Sequence, residues 1–243
     1  MDKKPGVMPI GIREVVRRII GKAVLCILKQ EIQSAAGTDQ LCSEQPGGVE
    51  AAIHALKNIF DDPSTEAVLL VDANNAFNSL NGEAALHNVA QLCPALSTIL
   101  KNTDGFSLNL FVGGTILKST EGTTQGDPMA TAMYAIGILP LIRHLREAQS
   151  EQVWFADDSS PADKLMRVKK WWDILTTIGP SYGYFPNAIR ILVKEGHISE
   201  AQSLFNGSNV NVTTEGRRLL GAAIGSKSFV TDFISKRVSN FSK

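Results

Sequence analysis

The sequence predicts an α+β fold in which a small antiparallel sheet is backed by helices and preceded by a helical segment. Three observations predict it. Two short apolar runs, Ala67-Val68-Leu69-Leu70-Val71 and Val153-Trp154-Phe155-Ala156, read as strands that end on acid, at Asp72 and at Asp157-Asp158. Apolar residues elsewhere recur at helical spacing. The elements follow as acidic strand, helix, hairpin, glycine-rich loop with helix, acidic hairpin, helix and strand, a layout that brings the two acidic strands side by side. Neighbouring carboxylates are costly unless something neutralises them, and a divalent cation is the usual neutraliser. Two strand-borne acidic positions therefore suggest one metal site.

With 243 residues, 44% hydrophobic and 20% charged, the chain has the composition of an ordinary globular protein and can bury a sizeable core. Three widely spaced cysteines, Cys26, Cys42 and Cys93, argue against a disulfide framework or a zinc site and for a reducing compartment. No apolar run reaches membrane-spanning length, and the first residues lack the apolar core of a signal peptide. These features predict an intracellular protein, of cytoplasm or nucleus, with no membrane partner. The net charge is zero but unevenly laid out: residues 1–30 carry seven Lys/Arg against two Asp/Glu, 31–139 three against twelve, and 140–243 fourteen against ten. Basic ends around an acidic middle suit phosphate contacts and held cations, and equally suit unevenly solvated faces.

Along the chain, Ile12, Val15, Val16, Ile19, Ile20, Ala23, Val24, Ile27 and Leu28 predict a long amphipathic helix over 12–32. Its opposite face carries Arg13, Arg17, Arg18 and Lys22, a stripe for a triphosphate or template backbone, or simply a solvated face. A second helix follows with Val49, Ile53, Leu56 and Phe60 inward. After the strand over 67–72, Ala73-Asn74-Asn75 leaves an open turn with free N–H groups, a seat for a phosphate tail. A helix over 84–92 ends at Cys93-Pro94. Residues 107–112 and 115–119 make a hairpin around Gly113-Gly114. The loop Glu121-Gly122-Thr123-Thr124-Gln125-Gly126-Asp127-Pro128 opens a helix that runs to Glu147 with a bend at Pro140. Ser159, Ser160 and Pro161 read as the turn after Asp157-Asp158. A helix over 162–178 follows, with Trp171 and Trp172 as core anchors. A strand over 190–194, a helix over 199–205 and two strands, 210–213 and 219–225, close the chain.

This order is that of a polymerase palm, a ferredoxin-like antiparallel sheet backed by helices. Four blocks make the match specific: Leu70-Val71-Asp72-Ala73-Asn74-Asn75-Ala76-Phe77-Asn78-Ser79, the 121–128 loop, Phe155-Ala156-Asp157-Asp158, and Leu219-Leu220-Gly221-Ala222-Ala223-Ile224-Gly225. On these blocks the sequence resembles the reverse transcriptases of non-LTR retrotransposons, from about Pro5 to the C-terminus.

The resemblance implies an RNA-directed DNA polymerase core that transfers nucleotides from dNTP to a primer 3′-hydroxyl in the presence of two Mg2+ ions, with Mn2+ as a substitute. Its partners would be an RNA template and a DNA primer; protein partners are left open. It places Asp72 and Asp157 as metal ligands, with Asp158 of the same motif in support. Ala76 and Phe77 would lie against the nucleotide, the Phe77 ring excluding a 2′-hydroxyl. Gln125 and Gly126 would lie along the incoming nucleotide and template base, and Leu220 and Gly221 in the hairpin that grips the primer. Arg13, Arg17, Arg18 or Lys22 would serve the triphosphate. Residues 1–66 would be partial fingers, 67–225 the palm with its primer-grip-like hairpin, and 226–243 the start of a truncated thumb or a tail.

The chain departs from relatives in two places. Met8-Pro9-Ile10 stands where they read Arg-Pro-Ile, and Ala188-Ile189-Arg190-Ile191 stands where they carry a lysine and a longer strand. The general acid for pyrophosphate would then be Arg190 or Lys194, or be absent, and an arginine is a poor proton donor. A full fingers or thumb lobe is not expected within these residues. Two other readings compete: an inactive or domesticated remnant that keeps the palm, and a carboxylate-dependent nuclease, which explains neither Phe77 nor the Gln125 loop.

Overall fold

The computed structural model describes residues 14–104, 108–112, 115–119, 122–123 and 126–241. Helices α1 (Val15–Ala36) and α2 (Gly48–Asp61) lead into β1 (Ala67–Ala73), the short α3 (Ala76–Ser79), α4 (Gly82–Leu92) and α5 (Pro94–Asp104). The hairpin β2 (Leu108–Val112) and β3 (Thr115–Ser119) precedes α6 (Ala130–Gly137) and α7 (Leu139–Leu145). Then come β4 (Glu151–Phe155), β5 (Asp158–Asp163), α8 (Leu165–Ile178), β6 (Pro186–Val193), α9 (Ile198–Leu204) and β7 (Asn211–Thr213). The hairpin β8 (Gly216–Leu219) and β9 (Ala222–Gly225) and the helix α10 (Lys227–Phe241) complete the chain.

One five-stranded sheet runs in the order β4-β5-β1-β6-β7. Its inner pairings are antiparallel, and only the edge strand β7 lies parallel to its neighbour. β1 is central because it is apolar on both faces, and a strand covered on both sides reads as a continuous apolar run. Leu69, Val71 and Ala73 join Ile191, Trp154, Trp171 and the helices α6 to α8 in the main core. Val68 and Leu70 face the other way, onto Leu56 and Phe60 of α2 and Ile224 of β9. Trp171 and Trp172 are core residues as expected, and the Trp171 Nε1–H donates to Gln152 Oε1 at 2.8 Å.

Several expectations about elements are corrected. Ser159, Ser160 and Pro161 belong to β5, not to a turn. Pro161 is tolerated in an inner strand because the β1–β5 ladder lapses between Val68↔Ala162 and Val71↔Ser159, where proline has no N–H to give. Pro94 opens α5, which the sequence reading missed, instead of only closing α4. The 219–225 run is half of a hairpin: Leu220 (φ 48°) and Gly221 (φ 91°) form its two-residue turn, with positive φ at both positions. The helix expected to bend at Pro140 breaks at Ile138. β6 is longer than expected and pairs with β1 from Ala67 to Ala73.

The largest correction concerns α1. Its buried face is Gly21, Leu28, Ile32 and Ala36, while Val15, Val16, Ile19, Ile20 and Ile27 are exposed. The helix forms where its periodicity places it but is rolled away from its most apolar side. No helix among the described residues is long and apolar enough to cross a membrane.

Candidate active site

The β1–β5 register decides how the acidic residues meet. Val71 pairs with Ser159, so one further step sets Asp72 opposite Asp158, on the same face of the sheet. Asp157 stands beside them in the two-residue turn that joins β4 to β5 after the pair Phe155↔Asp158. Each of the three is half-buried. β1 thus carries its apolar residues through the core and surfaces at its first charge, which spares that carboxylate full desolvation.

The turn that carries Asp157 is held from two sides. Ala156 has a left-handed φ of 53°, which a residue with a Cβ rarely adopts. Gln40, fully buried in the loop between α1 and α2, clamps it with both ends of its amide: Ala156 N–H donates to Gln40 Oε1 at 2.8 Å, and Gln40 Nε2 donates to the Ala156 carbonyl at 3.0 Å. On the other side the buried Tyr184 hydroxyl donates to the Asp157 carbonyl at 2.8 Å. A phenol has one proton, so the 2.9 Å contact with Ser159 Oγ has the serine as donor. Burial, and after it the charges of Asp157, Asp158 and Asp72, hold the Tyr184 hydroxyl well above the ordinary tyrosine pKa, against the Ser159 bond. All three carboxylates therefore act on one buried hydroxyl. Cys42, under the same turn, is pushed up to about 12, first by burial and with Asp157 adding to it.

Phe77 and the glycine-rich loop are joined by backbone. Asn75, at φ 48°, starts α3, and the Phe77 ring stacks on Tyr134 of α6 with centroids 4.6 Å apart and planes at 22°. Gly122 N–H donates to the Leu80 carbonyl at 2.9 Å, and Thr123 N–H to that of Phe77 at 2.6 Å. Glycine is required at 122, since a Cβ there would lie 2.3 Å from the Asn78 oxygen. Asp127 closes the loop by accepting Met129 N–H at 2.9 Å and Arg17 Nε–H at 2.8 Å.

No family model and no curated protein matches the sequence. Solved structures do. Apo telomerase from Candida tropicalis superimposes with a TM-score of 0.60 at 11% identity, over 84% of this chain and 39% of that one. Telomerase from Candida tropicalis in complex with a TWJ fragment of telomeric RNA gives 0.61 at 12% identity, over 84% of this chain and 36% of that one. The fold is a reverse-transcriptase-like palm. The chain spans under two fifths of the length of these neighbours.

Within the palm the remaining candidates scatter. Ala76 is buried at the start of α3, and Gly126 is exposed at φ 105°. Arg13 and Gln125 lie outside the described residues, as do Met8, Pro9 and Ile10. Arg17 is bonded to Asp127, and Lys22 lies exposed on α1. Arg190 pairs with Leu70, two residues along from the Asp72↔Ala188 pair, so it shares the face of Asp72. Lys194 does not. It stands six residues past Ala188, roughly 20 Å along the strand, where its amine donates to the Asp62 carbonyl and lies 5.6 Å from the centre of the Phe60 ring. As a proton donor to the carboxylate end it is corrected by that distance. Leu220 and Gly221 form the tip of the β8–β9 hairpin, which seats Ile224 and Leu219 against the Asp72 face of the sheet.

Sequence reasoning missed Gln40, Tyr184, Tyr134 and Arg217. Arg217 of β8 is held below the usual arginine pKa by desolvation first and by the Arg190 charge second, so a second cation stands near that face. The Tyr134 hydroxyl is buried without a hydrogen-bond partner among the described residues. The run Tyr182-Gly183-Tyr184-Phe185 is an aromatic signal that could have found Tyr184, whereas Gln40 carried none.

The donor set at the carboxylate end fits a hard cation. Asp72, Asp157 and Asp158 offer oxygen only, and the thiol beneath the turn stays protonated, so Mg2+ or Mn2+ suits it better than zinc. A different grouping, Glu66, His197 and Glu200, has ligand atoms within 4.8 Å of one another at the far end of the sheet. There Glu66 already accepts Leu165 N–H at 2.8 Å, at the start of α8.

Proposed function

We propose that the chain is the core of an RNA-directed DNA polymerase of the non-LTR retrotransposon type, adding dNTP units to a primer 3′-hydroxyl on an RNA template. The observation that carries the reading is the β1–β5 register, which sets Asp72 opposite Asp158 beside Asp157 in a clamped turn. The likeness to a telomerase structure that holds RNA supports an RNA partner. Asp72 and Asp157 would hold two Mg2+ ions, with Asp158 beside them and Mn2+ as a substitute. When bound, the ions lower the pKa of the primer hydroxyl and offset charge on the triphosphate.

The chain's own residues position the substrates. Phe77 cannot swing aside freely, because Tyr134 backs its ring, so it suits exclusion of a 2′-hydroxyl. The loop that carries Gln125 and Gly126 is tied to the Phe77 turn by two backbone hydrogen bonds, so sugar and base contacts are set by one unit. Arg190 on the Asp72 face, with Lys22 and Arg13, is the cationic supply for phosphate, and Leu220 and Gly221 would reach the primer. Residues 1–66 then act as partial fingers, 67–225 as palm, and 226–243 as the root of a thumb.

Primer extension on an RNA template tests the reading. Extension is expected with Mg2+ or Mn2+, lost in EDTA and reduced at least ~100-fold in Asp157→Asn, and Phe77→Ala is expected to admit ribonucleotides. Equal extension by Asp157→Asn would sink the assignment of that residue. A folded wild-type protein that extends nothing under any of these conditions would favour a palm kept without catalysis.

A further inference from the structure

The side of α1 that faces solvent carries Val15, Val16, Ile19, Ile20 and Ile27, each 51–79% exposed, with Ala23 and Cys26 exposed in the same arc. These positions share one helix face over thirteen residues, about 20 Å of axis, and no charge interrupts them. The face cannot turn inward. On the opposite side Gly21 meets Pro128 so closely that a Cβ would lie 3.3 Å from the proline, and Arg17 is bonded to Asp127, whose side chain is only 4% exposed. Both contacts fix the roll of α1 and leave the stripe outward.

From this placement we propose that the outer face of α1 docks an amphipathic α-helix of a partner protein, one whose apolar stripe is bordered by acidic residues. The charge layout selects that occupant. Arg18 and Lys29 lie exposed in a row along one border of the stripe, and neither has a carboxylate partner among the described residues. An acidic border on the partner would complement this row. A second copy of the chain packed antiparallel would instead set the row against itself, like charge on like charge. The side chains select a helix over a lipid surface. The large side chains of the stripe are valine and isoleucine, stiff at χ1 and suited to interlocking with another helix, and it lacks the Trp, Phe and Leu anchors that sink into a membrane interface. Contiguous exposed apolar surface of this kind marks an interaction site.

The test uses the full chain and two labelled synthetic helical peptides with the same leucine stripe, one bordered by Glu and one by Lys, followed by fluorescence anisotropy. The Glu-bordered peptide is expected to bind at least about tenfold more tightly than the Lys-bordered one. Arg18→Glu with Lys29→Glu is expected to reverse that preference, and Ile19→Asp with Ile27→Asp to abolish binding of both, with circular dichroism unchanged because every altered position is exposed. Equal binding of the two peptides, or a preference that survives the Arg18/Lys29 reversal, overturns the proposal. So does a dimer in sedimentation velocity that Ile19→Asp dissociates, which would assign the face to a second copy. Co-sedimentation with phosphatidylserine vesicles that Ile19→Asp abolishes would assign it to lipid and overturn the proposal equally.

Discussion

Ala156 holds a left-handed conformation with a Cβ in place, at a cost of roughly 1–2 kcal/mol, so something else must secure the turn that carries Asp157. Gln40 does so with both halves of its amide, from 116 residues away in sequence. Gln40→Leu keeps the volume and removes both bonds, stranding a backbone N–H and C=O under a buried side chain. The expected loss is about 2–3 kcal/mol in urea unfolding, and an unchanged midpoint would show that the turn holds itself. The contrast with the aspartates shows what a sequence makes legible at this scale. Asp72 and Asp157-Asp158 stand out because a charge at the end of an apolar strand is unusual on its own. Gln40 is a polar residue in a polar loop, and only the fold brings it to Ala156. Ser159, Ser160 and Pro161 misled for the opposite reason: their local turn preference is real, but β4 and β1 on either side hold them in a strand, and the gap in the ladder accommodates the proline.

At the scale of elements, periodicity located α1 and α2 and misjudged which side of α1 packs. The apolar stripe of α1 is stronger than its buried face, so a rule that turns the most apolar side inward fails there. What decides the roll is one glycine, Gly21, and one charge pair, Arg17–Asp127, and neither is a pattern of period 3.6. The pair also joins α1 to the loop that leads into α6, because Asp127 accepts from Arg17 and from Met129 N–H together. Arg17→Leu leaves the buried Asp127 carboxylate without that partner. Breaking a buried pair costs about 3–5 kcal/mol, and the partial exposure of Arg17 reduces the expected loss to roughly 2 kcal/mol. Adding Asp127→Asn should recover part of it, since the amide oxygen still accepts Met129 N–H while the charge is gone. Chemical denaturation of the two variants checks this, and a double variant less stable than Arg17→Leu alone would count against the ion-pair account.

For the molecule as a whole, stability and chemistry share one strand. β1 is paired on both edges and covered on both faces, by the main core on one side and by Leu56, Phe60 and Ile224 on the other, and the candidate site sits at its C-terminal end. A seat for several like charges has to resist their mutual repulsion, and the most deeply packed strand is the element best able to do so. α10 is its opposite: Ile234 and Val238 are exposed, and its packing is mainly onto the two-stranded β8–β9 hairpin. Local opening follows buried apolar contact. Native-state hydrogen exchange should therefore show the amides of Leu69, Leu70 and Ile191 opening only with global unfolding, while those of Asp232 to Val238 exchange through a local event at least ~100-fold faster, about 2.7 kcal/mol less protected. Protection of α10 equal to that of β1 would mean that the hairpin and its helix belong to the same cooperative unit as the sheet. The candidate primer contact at Leu220 and Gly221 would then be as rigid as the carboxylates it would have to approach.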